Sequence, residues 1–81
     1  MGGRENPARA HYVIARFDSW AMKWRELAHL RADDRIDALD RWALGQGGFD
    51  SLEPGIYGSR REDEDGHWYQ RIREAVSERE R

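Results

Sequence analysis

The sequence predicts a small all-α domain of three helices, and three observations predict it. Val13, Phe17, Trp20, Trp24 and Leu27 recur at steps of four, three, four and three, the spacing that stacks side chains along one helix face. No glycine or proline falls between Ala8 and Leu44, so backbone chemistry permits helix throughout that stretch. Trp68, Ile72 and Val76, joined by Tyr69 and Ala75, form a second amphipathic row near the C-terminus.

Taken in order, residues 1–6 read as a disordered lead-in and residues 7–81 as a single domain. Asn6 and Pro7 suit the N-cap and first position of a helix, because proline lacks only an N–H that the first turn leaves unpaired anyway. The first helix then runs over about 7–31. Its apolar row loses phase near Ala32, where Ile36, Leu39 and Ala43 continue Ala28 and Ala32 instead of Leu27. A break at 32–34 follows, with Asp33 capping a second helix over 33–44 and Gly45 ending it in a left-handed conformation.

Residues 45–58 make a long connection, anchored to the core by Phe49, Leu52, Ile56 and Tyr57, with Pro54 and Gly55 placed for a type II turn. Ser59 and Glu62 have capping-box spacing and open a third helix over 60–79, its acidic start matching the helix dipole. A β-based alternative exists. His11 to Phe17 is rich in β-branched and aromatic residues, and Asp65–Gly66 suits a hairpin turn between 56–61 and 67–72. Those segments would give an α+β domain, β-α-α-β-β, with a three-stranded antiparallel sheet.

At 81 residues the chain buries only about 60% of its unfolded surface. It has no cysteine, so disulfides and thiolate metal sites are excluded and self-association is the remaining supplement to stability. Nowhere do 18 apolar residues run together, and Met1 to Ala10 lacks the apolar centre of a signal peptide, so a soluble cytoplasmic protein without membrane attachment is expected. Charge is nearly balanced, with 14 basic and 16 acidic residues. The central part is the acidic one.

Candidate chemistry fails on spacing. Asp63, Asp65 and Gly66 suggest a calcium loop, but the first and twelfth positions fall on Arg61 and Ile72. His11, His29 and His67 lie far apart with no paired ligand. Gly45, Gly47 and Gly48 follow a helix rather than a strand, which is the wrong context for a phosphate cradle, and no serine sits in a nucleophile elbow. No catalytic, cofactor-binding or metal residue is assigned, and a non-enzymatic protein is expected.

What remains are surfaces. Asp33, Asp37 and Asp40, at steps of four and three, set a carboxylate stripe on the second helix that can imitate phosphates toward a basic groove. Trp42, one residue off the apolar line, reads as a core cover or an exposed anchor, whereas Trp20 and Trp24 read as core. Val13 and Phe17 lie where the first stripe outruns its intramolecular partners, so a homodimer contact is expected there.

The functional expectation is therefore a protein-interaction module that binds a protein partner, such as a nucleic-acid-binding complex, through Asp33, Asp37, Asp40 and Trp42. Small inhibitors from phages and mobile elements, anti-CRISPR proteins among them, are similar in size and composition; no motif carries the likeness further. The alternative is a nucleic-acid-binding regulator using Arg60, Arg61, Arg71 and Arg73 beside Trp68 and Tyr69.

Overall fold

Tyr12, Val13 and Ile14 stand in a strand paired on both sides. The computed structural model describes residues 9–75, so the lead-in, the Asn6–Pro7 cap and the end of the expected third helix from Val76 lie outside the described residues. The element order is β1 (Ala10–Asp18), β2 (Lys23–Ala32), α1 (Arg35–Gly45), a 3₁₀ turn at Phe49–Ser51, β3 (Gly55–Arg61) and β4 (Tyr69–Arg73). The four strands form one antiparallel sheet in the order β2-β1-β3-β4. An all-α domain is thus overturned, and so is the description of a small helical domain. The α+β alternative is nearer, although its first helix is also a strand.

Burial explains why the helical reading of 7–31 fails. β1 occupies the middle of the sheet, where both faces are covered, so it carries a continuous apolar run instead of the alternation that marks a half-exposed strand. Tyr12 and Ile14 point to the face that α1 covers, and join Ala32, Ala38, Leu39 and Tyr57 in the core. Val13 and Ala15 are equally buried on the opposite face. The four-three row is a coincidence of spacing: Trp20 lies in the turn between β1 and β2, and Leu27 lies beside an irregularity in their pairing.

That irregularity is a β-bulge. Ala15 faces Glu26 while Ile14 faces Ala28, leaving Leu27 as the extra residue. The bulge reverses the strand's phase: Trp24 lies opposite Phe17 on the helix-free face, whereas Ala28 and Leu30 pack on the helix-covered side. Period-two patterning in β2 is therefore broken at 26–27, which hides the strand from a periodicity test.

The second expected helix is present with shifted ends. Asp34, not Asp33, is its N-cap, accepting a hydrogen bond from the Asp37 N–H, while the Asp37 carboxylate accepts one from the Asp33 N–H. This reciprocal arrangement follows capping-box logic and typically contributes about 1 kcal/mol. Gly45 belongs to the helix, and the left-handed residues are Gly47 and Gly48, with the Gly48 N–H donating back to the Ala43 carbonyl. α1 buries Ala38, Leu39 and Ala43 against the sheet.

The third expected helix is replaced by the β3–β4 hairpin, whose connection spans 62–68 and includes Gly66 in a left-handed conformation. Ser59, expected as a helix cap, is instead buried in β3 and donates its hydroxyl to the Arg35 carbonyl at 2.6 Å, tying the sheet to the start of α1. The 45–58 connection does anchor as expected through Phe49 and Leu52, although Ile56 and Tyr57 belong to β3. Tyr57 stands between Trp42 and Phe49, with centroids at 5.9 and 6.0 Å.

The helix-free face is closed by side chains alone. Trp24 from β2 and Trp68, just before β4, lean in from opposite edges and stack with centroids 4.7 Å apart and planes 16° apart. A Cβ on Gly58 would lie 2.9 Å from the Trp24 ring and 2.9 Å from the Tyr69 carbonyl oxygen. Only glycine leaves room for that contact. We predict that Gly58→Ala lowers stability by about 1–3 kcal/mol through overpacking, measured by thermal unfolding, and weakens the near-ultraviolet circular dichroism of the tryptophan pair. Gly45→Ala, whose Cβ meets nothing within 4 Å, should instead be neutral or slightly stabilising.

Candidate functional site

The β1–β2 pairing continues past the last β1–β3 pair. β3 pairs with β1 only from Tyr12 to Arg16, so Phe17, Asp18 and their partners Trp24 and Lys23 make a two-stranded arm. The turn at its tip is built by one carboxylate. Asp18 Oδ1 accepts hydrogen bonds from the N–H groups of Trp20 and Ala21, at 2.9 and 3.1 Å, and Oδ2 accepts from Arg25 Nε at 2.5 Å. The Arg25 hydrogen bond, followed by that from Ala21, holds the Asp18 carboxyl below the usual aspartate range.

The turn so formed presents apolar side chains to water. Trp20 is 98% exposed and Met22 72% exposed. Met22 also adopts a left-handed φ of 55°, a conformation that costs a non-glycine residue about 1 kcal/mol or more and concentrates at functional positions. Beside them, Phe17, Trp20 and Leu27 line a groove of about 430 Å³, whose polar wall includes Arg16 and Arg25. Reading Trp20 as core missed this arrangement. The signal that could have found it is Asp18–Ser19, which breaks the apolar run and has the chemistry of a turn.

The residues singled out from the sequence are held differently. Asp33 pairs with Arg9 at 3.2 Å, Asp37 with Arg41 at 2.8 Å and Asp40 with Arg71 at 2.7 Å, so each carboxylate of the stripe faces a guanidinium of this chain. Asp37 is held below the ordinary aspartate range first by the Asp33 N–H and then by Arg41. Trp42 is half-buried and packs against the core. Val13 is 1% exposed, while Phe17 is half-buried at the base of the arm, edge-on to Trp24 at 5.4 Å.

The arginines of the alternative are engaged as well, and they are split between the two faces. Arg60 lies over the Trp68 ring at 4.9 Å and donates to the carbonyls of Arg61 and Glu64. Arg61 makes a two-pronged pair with Asp63. Arg71 stacks over Phe49 at 4.2 Å in addition to pairing Asp40, and Arg73 clasps the carbonyls of Asp50 and Glu74. With Trp24 on one side of Trp68 and Arg60 over its ring, no open stacking platform of the kind bases need is formed by this pair.

Farther along β2 from the arm's base lies a second polar device. His29 on β2 directs Nδ1 to Glu62 at 2.5 Å and Nε2 to Glu26 at 3.3 Å. A neutral imidazole has one N–H, so only the doubly protonated ring donates to both carboxylates. The contact spans the sheet over buried Val13, which pairs with both His29 and Arg60. Among the described residues no group of histidines and acids is arranged to hold a metal ion, and no helix is long and apolar enough to cross a membrane.

Comparisons with family models, curated proteins and solved structures found no match for this chain.

The hydrogen bond to Glu62, followed by that to Glu26, raises the His29 pKa above its ordinary 6.5. Because the folded value exceeds the unfolded one, the stabilisation is complete below about pH 6.5 and is lost as pH rises through the folded value. Thermal unfolding from about pH 6 to about pH 9 should therefore show a decline that His29→Gln lacks. Parallel curves for the two proteins would contradict this coupling. The side chain is half exposed, so solvent screening keeps the difference small.

Proposed function

We propose that this protein is a non-enzymatic interaction module, acting in the cytoplasm, whose docking element is the β1–β2 arm with Trp20 as the anchor. The single observation carrying this reading is a tryptophan 98% exposed on a turn that the Asp18 carboxylate pre-forms. Leaving an indole in water costs about 2–3 kcal/mol relative to burying it. Tryptophan is also prominent among the few residues that carry most of the affinity of an interface. A turn already organised by hydrogen bonds loses little entropy when it binds, which favours affinity at small contact area.

Charge supports the same assignment. The acidic stripe of α1 and the arginines of β3 and β4 are paired within the chain, so each would have to break an existing contact before recognising a partner. An exposed aromatic needs no such exchange. In the inhibitor reading the partner is a protein, and the contact is apolar at its centre with the exposed Lys23 at its rim.

A photo-reactive amino acid placed at position 20 in cells should yield a covalent adduct with a discrete protein. The same probe at Gln46, exposed beyond the end of α1, should not. Trp20→Ala should weaken capture by about tenfold or more without altering thermal stability. Equal adducts at both positions, or none at position 20, would remove the arm from the interface.

A further inference from the structure

Residues three apart in a regular strand lie on opposite faces of its sheet. Glu26 and His29 are three apart in β2, yet both stand on the helix-free face, because the bulge residue Leu27 falls between them. Their partners on β1, Ala15 and Val13, are two apart. The contact of His29 Nε2 with Glu26 Oε1, at 3.3 Å, therefore requires the extra residue to lie between the two. The other contact of the ring, from Nδ1 to Glu62 at 2.5 Å, crosses β1 to a residue whose N–H donates to the His11 carbonyl at 3.0 Å. One carboxylate is anchored to the sheet, and the other sits at its irregularity.

We infer that the doubly protonated His29 ring is a clasp that pins the bulge, and that loss of one proton releases Glu26 while Glu62 stays held, loosening the base of the arm as pH rises. A neutral imidazole keeps one N–H. It stays on Nδ1, where the shorter contact to Glu62 lies, and Nε2 then turns a lone pair toward the Glu26 carboxylate. That arrangement repels instead of binding. Without the clasp, residues 23–26 are free to slip by one place along β1, which brings Leu27 opposite Ala15 and Trp24 opposite Asp18. Such a slip turns each side chain to the other face, so Trp24 leaves its stack on Trp68. The stack opposes the slip, and the slipped register is a minor state whose population the proton sets.

The charged and titratable groups facing the ring come from four elements. β2 supplies Glu26 and Arg31, β1 supplies His11 opposite Arg31, β3 supplies Arg60 on the far side of Val13, and the β3–β4 connection supplies Glu62. Arg60 is drawn over Trp68 and donates to the carbonyls of Arg61 and Glu64, and Asp63 is taken up by Arg61. The two carboxylates, Glu62 before Glu26, hold the ring proton to a higher pH than an ordinary histidine does. The clasp is therefore complete below about pH 6.5 and opens as pH rises through the folded value. The ring and Glu26 are about half exposed, so the response is graded.

Nitrogen-15 NMR of the full chain through the His29 titration tests the clasp. Above the midpoint the ring should settle as the Nδ1–H tautomer, and the amides of residues 25–28 should shift with the ring's own midpoint. Their hydrogen exchange, corrected for its intrinsic pH dependence, should speed up by about two- to fivefold, the range that exposed ion pairs reach. Glu26→Gln, at an exposed position, should remove the response at the bulge and leave the Nδ1–H ring on Glu62, because an uncharged amide binds either form of the ring. His11→Gln should leave the response as it is. An Nε2–H ring above the midpoint, bulge amides that do not follow the ring, the same response in Glu26→Gln, or its loss in His11→Gln would each overturn the inference.

Discussion

One helix can cover one face of a four-stranded sheet, and the other face of this sheet must be closed from within. The residues that do so are Trp24 and Trp68, stacked over a floor of Ala15 and Gly58. Small residues in the central strands and large ones at the edges are a single device, because the rings reach inward only where the floor is low. Arg60 extends the cover over Trp68, and the His29 contact to Glu62 closes the part above Val13. Without this second layer the middle strand β1 would be wet on one side and its apolar run unaccounted for.

The same economy governs charge. Most of the arginines on the structured elements are bound to a carboxylate or carbonyl of the chain, and the α1 aspartates each serve an ion pair, a cap or both. Exposed ion pairs contribute little individually, about 0–1 kcal/mol. Their greater consequence is functional: they consume the groups that would otherwise recognise a phosphate or a basic groove. The exposed large apolar side chains among the described residues are Trp20, Met22 and Leu27 on the β1–β2 hairpin, Ile36 and Leu44 on α1, and Ile72 on β4.

Position in the sheet decides why the arm is available. β3 stops pairing at Arg16, so the last turn of the β1–β2 hairpin is supported by its own strand pair, by Asp18 and by Arg25. A hairpin so supported is stiff enough to present a side chain and free enough of neighbours to leave it exposed. The bulge at 26–27 sets the face on which Trp24 falls.

The sequence by itself determined the one helix, because Ile36, Leu39 and Ala43 carry the periodicity within a dozen consecutive residues, whereas its cap reads as Asp33 and stands at Asp34. It also gave the anchoring of Phe49 and Leu52, while the strand character of His11 to Phe17 stood only as the alternative to a helix. Only the tertiary structure decided that Val13, Phe17, Trp20, Trp24 and Leu27 are not a face. Strand pairing is long-range, a strand buried on both faces loses its alternation, and a single bulge shifts the phase of its neighbour, so local spacing cannot report any of the three. Exposure of Trp20 had only the turn chemistry of Asp18–Ser19 to signal it, since a tryptophan in a row of apolar residues otherwise reads as core.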